Sequence, residues 1–360
     1  MKKVAAILIG LLLFAQESLY YETPVFNIPD TNTSEINSTK NSETKSVFDN
    51  NETIKEEEIV LEDNFVSLKP HVKVCVVINK KRFFKFVPSI INSLNAYLIY
   101  KDVDYELKVF DINESIEKIN GECNDTIIYS LNKKYIQNLS EYNNSKFYIP
   151  IFNKKEIETN TTNLYFGGID YKEQINKLAE FIDDNKAISI NENTNLSNKL
   201  FKYENELNLT IIPYEYPNIN YNDLNNSFVF FNTRTAKTAQ VLSKITYYEL
   251  ETKLQLASQI NYDPLLIGIT QPDDVKKLII ANSIIHPPLL IEDYNLIINT
   301  DIKYNWLNYA SNILLNKIYN NQTGEENFYM NDFKTYIFDN QTLYKIKLYQ
   351  IINGAFKEVR

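Results

Sequence analysis

Apolar positions in this chain fall into short runs of two alternating periods, and the alternation opens at residue 73. Residues 74–78, Val-Cys-Val-Val-Ile, form a continuous β-branched run, the pattern of a parallel strand covered on both faces. In residues 88–100, Ile90, Ile91, Leu94, Tyr97 and Leu98 recur at helical spacing. Pro88 stands in the first turn, where its missing N–H costs nothing, so an amphipathic helix is expected. The same rhythm gives strands at 106–112, 126–130, 146–152 and 164–166, with helical stretches at 115–119 and 135–142. Strands separated by helices imply parallel pairing and right-handed crossovers.

The pattern then turns a corner. Residues 163–182 hold Gly167 and Gly168, two of only seven glycines in the chain. Asp170 and Glu173 have the spacing of a capping box, and Ile175, Leu178, Ala179 and Ile182 make one helical face. The glycine pair reads as a hinge, the crossing from one lobe to the next. Strands follow at 187–190, 209–213, 227–232 and 253–258, with helices at 196–206 and 236–248. Residues 275–280 fit a strand or a helix end, and 289–298 are apolar without a clear period. A long helix is expected over 302–319, with Trp306, Tyr309, Ile313, Leu314 and Ile318 on one face. The end reads as antiparallel strands: 336–338, a turn at 339–342, an alternating run at 343–352, Asn353-Gly354, then 355–359. The expected fold is therefore α/β, two doubly wound parallel-sheet lobes. Lobe 1 takes 71–168 plus about 284–325; lobe 2 takes 169–283 plus about 326–360.

What precedes residue 71 has no such rhythm. Lys2 and Lys3, the apolar run 4–14 and Leu13-Phe14-Ala15 have the layout of a secretory signal peptide over 1–15, implying export to the periplasm of a Gram-negative bacterium. The apolar run is too short for a comfortable membrane span, although an uncleaved inner-membrane anchor is the alternative. Residues 16–70 read as a disordered tether, because 32–58 is Asn-, Thr-, Ser-, Glu- and Lys-rich and has too little apolar surface to offset its ordering entropy. Residues 35–39 and 49–53 match an acidic-x-Asn-x-Ser/Thr glycosylation sequon in a chain already crowded with Asn.

Composition narrows the function. A net charge of −9 gives no basic face for nucleic acid. There are two histidines, His71 and His286, far apart; Gly-x-Ser-x-Gly, a P-loop and Gly-x-Gly-x-x-Gly are all absent. Hence neither an enzyme nor a metal or cofactor site is expected. Cys75 in the first strand and Cys123 before the third would be neighbours in a sheet of order 2-1-3-4-5. A disulfide and two buried thiols are both open.

Ligands of open α/β sheets bind beyond the carboxyl ends of the strands. The loop after the first strand, with Lys81, Arg82 and Phe83, is the leading candidate there: cations for an anionic group and rings for an apolar one. The alternative is a solvated turn whose Phe residues start the helix core. In the second lobe, Thr233 and Arg234 occupy the equivalent turn, and Asn261 with Tyr262 another strand-end loop. Thr233 also suits a helix cap.

Four segments together resemble the type I periplasmic binding-protein fold, the leucine/isoleucine/valine-binding-protein-like group that includes cell-wall-synthase activators. They are VKVCVVINKKRFFKFVPSIINSLNAYLIY, the crossing with its helix, the late helix 304–319, and the tail YIFDNQTLYKIKLYQIINGAFKEV. The tail is similar to the group's closing pattern of Phe-Asp, a turn, Tyr-x-aliphatic-x-x-Gly, then aromatic-x-x-Val. The resemblance spans roughly 73–360 and implies two lobes with a cleft. It also shows departures. Asn79-Lys80-Lys81-Arg82 replaces a small-residue loop, and Leu131-Asn132-Lys133-Lys134 replaces small hydroxyl residues, so the amino-acid clamp has no counterpart here. The function this implies is a non-catalytic periplasmic protein binding an envelope protein partner or a small ligand in or near the inter-lobe cleft. The alternative is a solute-binding receptor of an ABC-type transporter for an amino-acid-like or anionic solute.

Overall fold

The computed structural model describes residues 69–159, 161–183, 186–285, 287–324 and 327–359. The expected export signal and the expected tether up to residue 68 lie outside them, as does His286. In chain order the elements are β1 (His71–Ile78), α1 (Lys80–Phe83), α2 (Val87–Tyr100), β2 (Asp104–Asp111), α3 (Ile116–Asn120), β3 (Asp125–Tyr129), α4 (Lys133–Asn138), β4 (Lys146–Ile149) and β5 (Leu164–Phe166). After the crossing come α5 (Tyr171–Ala179), β6 (Lys186–Asn191), α6 (Asn195–Glu204), β7 (Thr210–Glu215), β8 (Phe228–Asn232), α7 (Thr235–Tyr247), β9 (Leu254–Ala257), α8 (Pro264–Ile269), α9 (Pro272–Val275) and β10 (Leu278–Asn282). The chain ends with α10 (Leu289–Ile297), α11 (Trp306–Thr323), β11 (Tyr329–Met330), β12 (Thr335–Phe338), β13 (Gln341–Leu343), β14 (Lys347–Ile352) and β15 (Ala355–Val359).

These strands make two sheets, one ordered β11-β12-β13-β5-β4-β3-β1-β2 and one ordered β15-β14-β10-β9-β8-β6-β7. Within each, a parallel block has the same order, second-first-third-fourth-fifth. β1 shows why: Val72, Val74, Val76 and Ile78 pack into one cluster with α2 and α11, while Cys75 and Val77 pack on the other face. Each fully buried aliphatic side chain contributes roughly 1.5–3 kcal/mol, so a strand buried on both faces is a strong local determinant. A disulfide joins Cys75 to Cys123, with Cα atoms 5.8 Å apart.

The chain passes between the sheets at 167–170, again between β10 and α10, and again at 344–346. At the first passage a Cβ on Gly168 would lie 2.2 Å from the Phe152 carbonyl carbon and 2.4 Å from Asn153 N, so only glycine fits. Asp170 caps α5 by accepting from Glu173 N at 3.1 Å.

The lobe boundary near the end differs from the sequence expectation. Residues 326–360 do not all join lobe 2: β11, β12 and β13 extend the first sheet, and only β14 and β15 join the second. The expected single strand over 343–352 is broken at 344–346, where Tyr344 donates to Gly167 O at 2.7 Å and packs on Trp306 with centroids 4.6 Å apart. Both tight turns are present, with positive φ at Asp339 and Asn340 and at Asn353 and Gly354, the geometry that matches strand twist. Of the expected run 289–298, Leu289–Ile297 is helix: Ile291 and Asn295 face inward, with Asn295 accepting from Ser93 Oγ at 2.7 Å.

Candidate functional site

A cleft of about 1370 Å³ opens between the lobes at the carboxyl ends of the strands. On the lobe 1 side it is lined by Phe83 and Phe86 after β1, Leu131 and Lys133 after β3, and Ile151 and Phe152 after β4. The lobe 2 side is lined chiefly by Tyr171 of α5 and by Leu196, Lys199, Lys202 and Tyr203 of α6. Its floor carries Asp301, Tyr304 and Trp306, where the chain re-enters α11.

Each charged group in the wall has a definite setting. Lys199 Nζ lies 2.8 Å from Glu156 Oε2, an ion pair between α6 and the turn after β4, and also sits 5.3 Å from the Tyr171 ring centroid. Lys155 Nζ meets Asp170 at 2.7 Å, and that hydrogen bond raises the lysine above its ordinary pKa. Lys133 Nζ lies 5.8 Å from the Phe152 ring centroid. Asp301 accepts from Lys303 N at 2.7 Å and Tyr304 N at 3.1 Å, yet burial raises its carboxyl above the usual range. Burial pushes the Tyr203 phenol up to about 12, so it stays a neutral donor. Among the described residues no group of His, Cys, Asp and Glu side chains converges as a metal site.

Of the nominated ligand contacts, only Phe83 lines this cleft. Lys81 and Arg82 belong to the one-turn α1, whose Asn79 cap accepts from Arg82 N at 3.1 Å, and the turn directs both cations outward to solvent. Thr233 is fully buried, with its hydroxyl on Thr238 Oγ1 at 2.8 Å; the α7 cap position belongs to Arg234. Arg234 is engaged by buried Glu192, at 3.1 Å from Nε, and Lys237 meets the same carboxylate at 2.7 Å. Burial alone would raise the Glu192 carboxyl; these cations hold it below the usual range. Asn261 is buried and donates to Thr233 O at 3.1 Å, tying two loops together. Tyr262 is buried against Phe356 and Tyr304, at 4.4 and 5.4 Å between centroids, so it stands behind the floor rather than on it. Gly167 and Gly168 sit at the crossing, where their carbonyls accept from Tyr344 OH and from Asn153 Nδ2.

A second groove, about 1290 Å³, runs beside the β12–β13 turn and includes Asn153, Lys154, Phe338, Gln341 and Leu343. Here the added strands extend past β5, and Tyr336, Phe338 and Leu343 remain exposed on the outer face.

No protein-family model and no curated protein matches the sequence. Solved structures do match. The leucine-binding protein LivK from Thermotoga maritima aligns with a TM-score of 0.55 at 14% identity, over 80% of this chain and 98% of that one. A branched-chain amino acid ABC transporter protein from Thermus thermophilus with bound valine aligns at 0.57 and 12%, over 81% and 96%. The C-domain of LpoA from Haemophilus influenzae, a regulator of PBP1A, aligns at 0.56 and 11%, over 80% and 100%. These neighbours are named as a leucine-binding protein, an amino acid ABC transporter with bound valine and a regulator, not as enzymes. Identity this low establishes the fold alone, and the fold is the type I periplasmic binding-protein-like one.

Proposed function

We propose that this chain is a non-catalytic binding protein of the cell envelope that seats its ligand between the two lobes. The observation that carries the reading is the cleft itself: lobe 1 supplies an apolar and aromatic wall at its strand ends, where open α/β sheets take ligands, and lobe 2 faces it with Tyr171, Leu196 and Tyr203 of its helices. The export pattern of residues 1–15 supports a periplasmic location. Among the described residues no helix is long and apolar enough to cross a membrane.

A thermal-shift screen of the full chain against amino acids, apolar acids, peptides and wall fragments tests the reading. A ligand that binds only the native state raises the melting temperature by mass action. A shift from one chemical class that is lost in Phe152→Ala supports it; no shift across the panel removes the small-ligand form. The second reading, docking of an envelope protein partner, is favoured by the rim. Phe84 (68% exposed), Leu131 (56%) and Leu265 (49%) present apolar surface at and beside the mouth. Transport as an ABC-type solute receptor is the alternative suggested by the amino-acid-binding neighbours.

A further inference from the structure

The side chains of the cleft sort by whether they are already engaged. Of its three acids, Glu156 and Asp263 have both carboxylate oxygens engaged, and Asp301 has one. Glu156 is paired with Lys199 at 2.8 Å. Asp263 accepts from Leu265 N at 2.9 Å and from Thr235 Oγ1 at 3.3 Å. Asp301 accepts two backbone N–H groups, from Lys303 and Tyr304, both on Oδ1. Of the cations, Lys199 and Lys155 are engaged by carboxylates. Lys133 and Lys202 are exposed and form no ion pair among the described residues; one stands on each lobe. A cationic guest finds one open carboxylate oxygen, Asp301 Oδ2, on a carboxyl that burial disfavours as an anion, whereas an anionic guest meets Lys133, which rests on the Phe152 ring, and Lys202, neither ion-paired among the described residues. Around them the walls are flat and apolar: Phe83, Phe86, Phe152, Tyr171 and Trp306.

We propose that the ligand of this cleft is an amphipathic anion: an apolar or aromatic body held between the rings of the two lobes, with a carboxylate taken by Lys133 and Lys202. This rests on the reading that the cleft is the binding site. It separates the chain from a zwitterion binder, which must also seat an α-ammonium group. The volume agrees, since about 1370 Å³ exceeds the roughly 300–1,000 Å³ of an ordinary small-molecule pocket and leaves room for a body larger than a single amino acid.

The chain has one tryptophan, Trp306, and it lines the cleft, so tryptophan emission reports occupancy directly. The full chain is titrated with phenylbutyrate, phenylbutanol and phenylbutylamine, which share one body and differ in head group, and with phenylalanine. Phenylbutyrate is expected to saturate a change in emission and to bind most tightly. The double variant Lys133→Gln, Lys202→Gln is expected to weaken it roughly tenfold or more, as loss of charge-assisted bonds predicts, while leaving the alcohol unchanged. Equal or tighter binding of the alcohol, the amine or phenylalanine, or an indifferent double variant, overturns the anion assignment and leaves the cleft as the binding site. If none of the probes moves the emission of a chain whose thermal unfolding is cooperative, the assignment and the cleft reading both fall.

Discussion

In lobe 1 the cleft wall is made by the corners that follow the strands: Phe83 after β1, Leu131 after β3 and Phe152 after β4. In lobe 2, with the same strand order, the equivalent corner after β8 is closed upon itself, with Thr233 on Thr238 and Arg234 on Glu192. The wall there passes to a helix, α6, through Lys199, Lys202 and Tyr203. Equal topology thus fixes where a cleft lies but not which element faces it. That is decided by whether a corner can satisfy its own polar groups.

The lobes also differ in what holds them together, and four measurements test how far the difference extends. The largest effect is expected from the disulfide, which lies in lobe 1. Its cysteines are 48 residues apart, so the chain-entropy estimate gives about 4 kcal/mol of stabilisation. Cys75→Ser with Cys123→Ser should lose most of that in urea unfolding, with amide exchange rising in β1 and β3 before β6 and β8. Equal loss in both sheets would mean that the lobes unfold as one unit.

Lobe 2 has the opposite liability, Glu204. It is the last residue of α6 and is buried; Asn232 Nδ2 donates to its Oε1 at 2.8 Å and its Oε2 has no hydrogen-bond partner among the described residues. Burial pushes its carboxyl up to about 7. A group raised in the folded state contributes its full stability below its unfolded pKa and loses it as pH rises through the folded one. Stability should therefore fall between about pH 4.5 and pH 7, and Glu204→Gln should recover on the order of 3 kcal/mol at pH 8 and little at pH 4. A flat difference across that range would show that the carboxyl is not the cause.

The ion pair between the lobes comes next. A double-mutant cycle on Lys199 and Glu156 should give a coupling of about 1 kcal/mol, because both side chains are mostly buried and the pair is better shielded than a surface one. The smallest effect is expected at Arg234, whose side chain is 73% exposed although it touches Glu192. Arg234→Ala should leave ligand binding unchanged and alter stability by no more than about 1 kcal/mol. A loss of binding there would restore the symmetry between the two corners.

The architecture was legible where one residue type had one reading. The β-branched run at β1 and the Asn-Gly turn each favour one backbone conformation, and the glycine pair marks where the chain passes too close to Phe152 for a Cβ. The site was not, because a cleft-facing side chain and a solvent-facing one look alike in sequence. Phe83 and Phe84 are adjacent, yet one turn of helix sends Phe83 to the cleft and leaves Phe84 exposed. Lys133 stood out only as part of a departure from a family pattern. The outward face of α6 did carry a signal, since Lys199, Lys202 and Tyr203 fall at helical spacing opposite buried Leu200 and Glu204. In α11, Asn308, Asn312, Asn316 and Asn320 recur every fourth residue, a pattern the sequence expectation did not use; all four are buried, and Asn312 donates to Ser93 Oγ at 2.8 Å.

Gly168 has a mechanical consequence. With the Phe152 carbonyl seated where a side chain would be, and Gly168 N donating back to Phe152 O at 2.9 Å, the first crossing strand is clamped to the corner after β4. The glycine is therefore held as part of lobe 1, and the Lys155–Asp170 pair carries that hold on to the residue that caps α5.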